Sequence, residues 1–180
     1  SVRVGVSIGD SLSALYAVIG TLLALQERNR SGLGQEIDVA LYESVFAMME
    51  SLLPEFDASG QVREPSGSAL PGITPSNAYR CQGGDYVLIA GNGDSIFKRL
   101  MGVISRDDLA NDPALAHNDG LSQQAEMIDA AIQSWTEERP RDAILQALDD
   151  ARVPAGYPYT AEDIAFDPHY LAREMIQTFT

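Results

Sequence analysis

The chain has 180 residues, 45% of them hydrophobic and 21% charged, a composition typical of a soluble globular protein with one domain or two small lobes. Its formal net charge of −14 argues against a nucleic-acid partner, because phosphate contacts require a surface rich in Lys and Arg. No window of 18 residues is free of charged side chains, so we expect no membrane-spanning segment and no membrane partner.

The Cys and His residues predict neither a disulfide nor a metal site. A single cysteine, Cys81, excludes an internal disulfide and fits a reducing, cytoplasmic location. It lies in a predicted strand without a nearby His or Cys, which favours a structural role over a nucleophilic one. His117 and His169 each lie in a predicted polar loop without a partner at helical spacing, so we expect no metal.

An apolar stretch at residues 12–25 predicts the first helix. Its hydrophobic side chains recur at helical spacing and also occupy the other faces, which predicts a helix buried on most sides. Asp10 is placed to cap the start of this helix, and Gly32 lies just beyond its end. A signal peptide would be followed by a cleavage site of small residues, but Gln26-Glu27-Arg28 comes next.

The following segments predict a strand, a helix and a long loop. Ile37 and Val39 alternate with acidic residues, which predicts a half-exposed strand at residues 35–40. Residues 41–53 have apolar side chains on one helical face. Residues 54–77 are rich in Pro, Gly and Ser without periodicity, which indicates a linker or a functional loop.

A second group of elements follows this loop. Two short strands, residues 78–81 and 85–90, are joined by Gln82-Gly83-Gly84 and predict a hairpin. Apolar periodicity predicts three helices after the hairpin, at residues 94–104, 123–135 and 142–151. The prolines of the tail, residues 153–180, limit its helices to short ones.

Two glycine-containing turns are candidates for chemistry. Gly9-Asp10-Ser11 places a carboxylate at the start of the first helix, where the helix dipole favours its ionised form. An N-cap and a carboxylate nucleophile both fit this position, and the two roles are compatible. Residues 91–94, Gly-Asn-Gly-Asp, offer a phosphate cradle, but they lack the lysine and spacing of a P-loop, which favours an ordinary turn capped by Asp94.

The order of five segments resembles family III CoA-transferases. Gly9-Asp10-Ser11 is similar to the catalytic-aspartate motif of that family, and residues 28–41, RNRSGLGQEIDVAL, resemble its most recognisable stretch. The other three segments resemble the entry to its small domain, its L-x-x-D-P step and its return to the large domain. These segments are residues 75–89, residues 107–113 and the pair 153–156 and 167–169.

The resemblance implies a mixed α/β fold made of part of a nucleotide-fold large domain and a small α+β domain. Residues 1–53 would belong to the large domain, 54–77 to a linker and 78–152 to the small domain, with 153–180 returning toward the large domain. Family members are about twice this long, so we expect the sequence to be an internal or C-terminal piece of one, incomplete as an enzyme by itself.

The resemblance also implies a function. Asp10 would attack an acyl-CoA thioester, form a mixed anhydride and then an aspartyl-CoA thioester, and so move CoA between carboxylic acids. Gly9 would lie at the substrate, and Gly67 and Gly72 would lie in a loop, residues 66–72, that closes over it. Coenzyme A and carboxylic acids would be the substrates, no separate cofactor would be needed, and the protein would form a homodimer.

Two alternatives remain open at this stage. An acyl-CoA racemase shares the scaffold but uses an acid/base pair, and a non-catalytic remnant would serve as an oligomerising or binding domain. One departure from the family also stands out, because Leu121 follows the turn Asn118-Asp119-Gly120 where members often have a basic residue.

Overall fold

The structure, a computed structural model, describes residues 4–178 and divides into two compact units, Ser1–Pro65 (unit 1) and Ser66–Thr180 (unit 2). Helices dominate both units, and a three-stranded antiparallel sheet lies in unit 2. This arrangement confirms the predicted mixed α/β class. The assignment of residue ranges to a large and a small domain stays a prediction.

Unit 1 contains three helices, α1 (Ile8–Ser31), α2 (Leu41–Phe46) and α3 (Leu52–Ser59). The end of α1 was predicted correctly. Gly32 has a φ of 77° there, and its N–H donates to the Arg28 carbonyl, which is the left-handed cap that glycine adopts without steric cost.

Three predictions for unit 1 are wrong. Residues 35–40 are irregular and do not form a strand, because no strand in the described part of the chain pairs with them. The predicted helix at 41–53 is interrupted after Phe46. The loop predicted to begin at residue 54 in fact begins later, because Pro54 is the third residue of α3. Proline is tolerated there because the first four N–H groups of a helix have no acceptor within it.

The prediction that α1 is buried is also wrong. Ser13 is its one buried residue, whereas the side chains of Leu22 and Leu23 are 61% and 65% exposed. By length and composition alone α1 would satisfy the criterion for a membrane span, a criterion that core helices and signal sequences also meet. The expectation of no membrane partner is therefore untested and stays a prediction.

The sheet of unit 2 is built on the predicted hairpin. Strand β1 (Ser76–Arg80) pairs antiparallel with β2 (Tyr86–Ala90), with Ala78 opposite Leu88. Gly83 and Gly84 form the turn at φ values of 90° and 98°, which favour glycine. A two-residue strand β3 (Ala155–Gly156) pairs with the other edge of β2.

The helices of unit 2 lie close to their predicted positions. The predicted helices at 94–104, 123–135 and 142–151 are confirmed within two residues at each end, and the tail helices are short, as expected. In chain order they are α4 (Asp94–Val103), α5 (Asp107–Ala110), a 3₁₀ turn (Pro113–Leu115), α6 (Asn118–Gln123), α7 (Ala125–Thr136), α8 (Arg141–Asp150), α9 (Ala161–Phe166) and α10 (Pro168–Ala172).

One hydrophobic core holds unit 2 together. Val87 and Ile89 alternate along β2 toward the core, where they join the buried side chains of α4, α7 and α8. Each large aliphatic side chain buried in this way contributes roughly 1.5–3 kcal/mol. Fully buried members of the core include Phe97, Leu100, Met101, Ile128, Ile132, Ile144 and Leu148.

Two of the family-like segments, residues 107–113 and 167–169, cap helical turns of unit 2. Asp112 and Asp167, each followed by proline, cap the 3₁₀ turn and α10 by accepting hydrogen bonds from backbone N–H groups. Leu121, which departs from the family pattern, is completely buried in the core. A basic side chain at that position would lose its hydration in this core, which gives a physical reason for the departure.

Candidate active site

The Asp10 carboxylate is exposed in the first turn of α1. The helix begins at Ile8, with Ser7 as the N-cap, so the prediction that Asp10 caps the helix is wrong. The Asp10 side chain forms no hydrogen bond or ion pair with any residue in the described range 4–178. It is therefore an unpaired carboxylate at the positive end of a 24-residue helix, where the helix dipole favours its negative charge.

Small residues bring α2 against the start of α1. Ser13 and Ser44 are the buried residues of these two helices, and each hydroxyl donates to a carbonyl four residues earlier on its own chain segment. A Cβ atom placed on Gly9 would lie 3.6 Å from Val45 Cγ2, which is ordinary van der Waals contact. Close packing therefore does not by itself require glycine at position 9.

Two backbone donors lie beside Asp10. The N–H groups of Gly9 and Asp10 have no backbone acceptor among the described residues, whereas the N–H groups of Ile8 and Ser11 are paired with Val6 and Ser7. Unpaired N–H groups in the first helical turn are suited to bind a negatively charged oxygen.

A separate groove of about 350 Å³ lies further along α1 and does not include Asp10. It is lined by apolar side chains of α1 and by residues 37–40, with Asp38 and Glu43 at its polar end. Ile37 packs so closely on α1 that a Cβ atom on Gly20 would lie 3.0 Å from its Cγ2. The family-like stretch 28–41 thus runs back along α1 and brings α2 to the start of that helix.

In unit 2, the predicted loop at residues 66–72 has a glycine near each end. Gly67 and Gly72 have φ values of 66° and 76°, and a Cβ atom on either would meet nothing within 4 Å. Backbone conformation, rather than lack of space, therefore favours glycine at both positions.

Two asparagine side chains hold this loop. Asn77 Oδ1 accepts a hydrogen bond of 2.6 Å from the Ser68 hydroxyl, and Asn118 Nδ2 donates one of 2.7 Å to the Gly72 carbonyl. Neither asparagine was predicted from the sequence to contact the loop. The polar partner of Asn77 on α7, Asp129, is 52 positions away, and no local pattern indicates such a contact.

The turn at residues 91–94 connects β2 to α4, as predicted, and is closely packed at Gly91. A Cβ atom on Gly91 would lie 2.6 Å from Leu100 Cδ2 and 3.1 Å from Pro75 Cγ, so a side chain at this position would force one of these neighbours to move. The predicted cap was misplaced, because Gly93 is the N-cap and Asp94 is the first residue of α4. The Asp94 carboxylate instead lies 3.2 Å from His117 Nδ1.

The other residues considered as possible sites, the cysteine and the histidines, are not part of the Asp10 turn. Cys81 is buried beside the core, and burial raises the pKa of its thiol, which agrees with the predicted structural role. His169 lies in the short helix α10 and not in the predicted loop. Within residues 4–178, no three His, Cys, Asp or Glu side chains are grouped so as to hold a metal ion.

Comparison with known proteins identifies the family. The whole chain, residues 1–180, matches CoA-transferase family III. It is 41% identical over 97% of its length to succinyl-CoA--D-citramalate CoA-transferase of Chloroflexus aurantiacus, and 31% identical over 97% to succinyl-CoA:mesaconate CoA-transferase of Haloarcula marismortui. A crystal structure of a CAIB/BAIF family protein from Brucella suis is similar at 32% identity, with a TM-score of 0.76 over 97% of the chain.

These alignments cover only part of each relative. The chain spans 43% of the length of both named enzymes and 46% of the solved Brucella suis chain. The family match nevertheless extends from the Asp10 turn through both units. The chain belongs to CoA-transferase family III.

Proposed function

We propose that this chain supplies the nucleophile of a CoA-transferase that moves CoA from an acyl-CoA to a carboxylic acid. The observation that carries the proposal is the Asp10 carboxylate, which is exposed, unpaired among the described residues and placed at the start of α1. Ser7 is the N-cap of α1, so the Asp10 carboxylate is not engaged in capping hydrogen bonds.

The proposed reaction needs only this carboxylate and the two substrates. Asp10 attacks the thioester carbonyl, the C–S bond breaks, and a mixed anhydride and CoA thiolate result. The thiolate attacks the aspartyl carbonyl of the anhydride and releases the first acid, which leaves an aspartyl-CoA thioester. The acceptor carboxylate then displaces CoA to form a second anhydride, and the thiolate attacks its acyl carbonyl, which yields the new acyl-CoA and restores Asp10.

Features of the first turn of α1 support this chemistry. The N–H groups of Gly9 and Asp10, which have no backbone acceptor within residues 4–178, are donors for the oxygen that becomes negative when a carbonyl is attacked. A carboxylate is a weak nucleophile, but a thioester is an activated acyl group and binding raises the effective concentration of the pair.

The loop at residues 66–72 is the proposed lid. Both anhydride intermediates would be hydrolysed by water, so the site must be covered while they exist. Gly67 and Gly72 allow the chain to turn at both ends of this exposed segment. Gly67 and Gly72 are the substrate-side residues proposed for unit 2, and Gly9 is the one proposed for unit 1.

Succinyl-CoA is the proposed donor. The names of both relatives, at 41% and 31% identity, give succinyl-CoA together with D-citramalate or mesaconate. Both names describe a CoA-transferase, which favours a transferase over a racemase on the same scaffold.

Covalent trapping tests the proposal. The protein is incubated with succinyl-CoA, the intermediates are captured with hydroxylamine, and peptide mass spectrometry locates the modified carboxylate. The expected result is a hydroxamate at Asp10 that is absent in the Asp10→Asn variant and present in Asp57→Asn, an exposed aspartate of α3. A hydroxamate at another carboxylate, or turnover by Asp10→Asn equal to that of the parent protein, would disprove the assignment.

A binding role also has one observation in its favour. The exposed apolar side chains of α1 form the kind of surface that associates with another protein chain. The proposed partner is a second copy of this chain, which gives a homodimer. Sedimentation velocity over a range of concentrations is expected to show a dimer that Leu22→Glu weakens. A monomer at every concentration would contradict this second proposal.

A further inference from the structure

We propose that Asp129 and Asn77 position the loop at residues 66–72 through the Ser68 hydroxyl. This inference deepens the proposed function, because it names what holds the proposed lid, and its test measures the loop without measuring catalysis. The three side chains lie on different segments of unit 2, namely α7, β1 and the loop itself.

Asp129 has both carboxylate oxygens occupied by donors from β1. Oδ1 accepts from the Tyr79 hydroxyl at 2.6 Å, and Oδ2 accepts from Asn77 Nδ2 at 2.9 Å. Asn77 and Tyr79 are two residues apart on the strand, so both side chains face α7. Tyr79 is 2% exposed, and burial together with Asp129 holds the pKa of its phenol above the usual range, so it remains a donor.

This arrangement fixes the orientation of the Asn77 amide. An ionised carboxylate can only accept hydrogen bonds, so the NH₂ group of Asn77 must face Asp129. Asn77 Oδ1 is thereby directed away from α7, where it accepts from Ser68 Oγ at 2.6 Å and from the Ala78 N–H at 2.8 Å. If the amide were reversed, its NH₂ group would face the Ala78 N–H, which is also a donor.

Helix α7 also holds β1 through a second polar side chain. The Gln133 amide accepts from the Arg80 N–H and donates to the Arg80 carbonyl, both at 3.0 Å. Gln133 lies one helical turn after Asp129, so the helix binds the strand at two places on one face. The strand that carries Asn77 is therefore held in register with Asp129.

The loop contact borders a cleft. Ser68 and Asn77 line a cavity of about 440 Å³ together with residues 88–90 of β2 and residues 154–157. Within the loop, the Leu70 N–H donates to the Ser76 carbonyl at 3.2 Å. Loss of the Ser68–Asn77 hydrogen bond would leave the Leu70–Ser76 bond to hold the loop to β1, and would loosen the loop at this side of the cleft.

Hydrogen exchange of the 180-residue chain tests the inference. Ser68→Ala and Asp129→Asn are each expected to speed exchange of the Leu70 amide about twofold to tenfold, the range expected from loss of one hydrogen bond. Because Asp129 acts through the same contact, the double variant should exchange no faster than the faster single variant. Ser68→Thr keeps a hydroxyl and should restore slow exchange.

Two comparisons separate positioning from general damage. Asp57→Asn makes the same charge change at an exposed site of α3 and should leave Leu70 exchange unchanged. The core amides of β2 should be unaffected in Ser68→Ala, which removes only a contact of an exposed side chain. Unchanged Leu70 exchange in Ser68→Ala, or additive effects in the double variant, would overturn the inference, whether or not Asp10 proves to be the nucleophile.

Discussion

Units 1 and 2 differ in where their apolar side chains lie. All sixteen buried hydrophobic residues in the described range 4–178 lie between Tyr79 and Val153, within unit 2. Unit 1 has the longest helix among the described residues, the 24-residue α1, yet that helix buries a single serine. Since burial of apolar area is the dominant favourable term in folding, core packing stabilises unit 2 and contributes little to unit 1. The proposed nucleophile therefore lies on the less stabilised of the two units.

The largest expected effect comes from the core itself. Leu100→Ala removes a fully buried side chain and should lower the free energy of unfolding by about 2–5 kcal/mol. Leu22→Ala on α1, where the residue is 61% exposed, should change the free energy of unfolding by less than about 0.5 kcal/mol at protein concentrations where the chain is monomeric. Urea unfolding followed by circular dichroism measures both. Equal losses in the two variants would mean that α1 is buried and that the contrast between the units is false.

Two glycines, one in each unit, test the difference in packing between the units. Gly91→Ala in unit 2 places a Cβ atom 2.6 Å from Leu100 and should destabilise the protein by about 1–3 kcal/mol. Gly9→Ala in α1 meets only Val45 at 3.6 Å and should stabilise the helix by up to about 1 kcal/mol. Thermal unfolding of both variants would show opposite signs. Destabilisation by Gly9→Ala would indicate packing at that position that the structure lacks.

The smallest expected effect is a titration in unit 1. Hydrogen bonds from Arg63 and Ser51 lower the pKa of Glu55 from 4.5 to about 2. Because the folded-state pKa lies below the ordinary value, the stabilisation from ionised Glu55 is complete above pH 4.5 and is lost as the pH falls toward about 2. Carbonyl chemical shifts of Glu55 followed by NMR should show the low midpoint, and Arg63→Gln should move it up toward 4.5.

A midpoint near 4.5 in the parent protein would contradict the Glu55–Arg63 pair. Asp57→Asn on the same helix serves as the control variant, because Asp57 takes part in none of the hydrogen bonds that join Glu55, Arg63 and Ser51.

Local signals predicted most of unit 2 correctly. The hairpin depends on Gly83 and Gly84, and α4, α7 and α8 show amphipathic periodicity, so their positions could be inferred without knowledge of distant contacts. The same reasoning failed in unit 1, because residues 35–40 have the alternation of a strand and no strand beside them among the described residues. Whether a segment is paired or buried depends on neighbours that local patterns do not specify.

The candidate site could likewise be predicted from the sequence only in part. The family-like turn indicated Asp10, but only the helix boundary at Ile8 shows that its carboxylate is not used as a cap. Asn77 and Asp129 could not have been found from sequence, because their role depends on a contact across 52 positions. The hydrogen-bond geometry of unit 2 was needed to connect them to the loop.

The burial of Cys81 provides the protein with an internal reporter. It is the chain's single thiol, and only 3% of the residue is exposed, so a thiol reagent can react only when the surrounding structure opens. The rate of labelling at increasing urea concentration would therefore report the opening of unit 2 alone, without an introduced probe. Combined with a signal from α1, it would show whether the two units unfold together or in sequence.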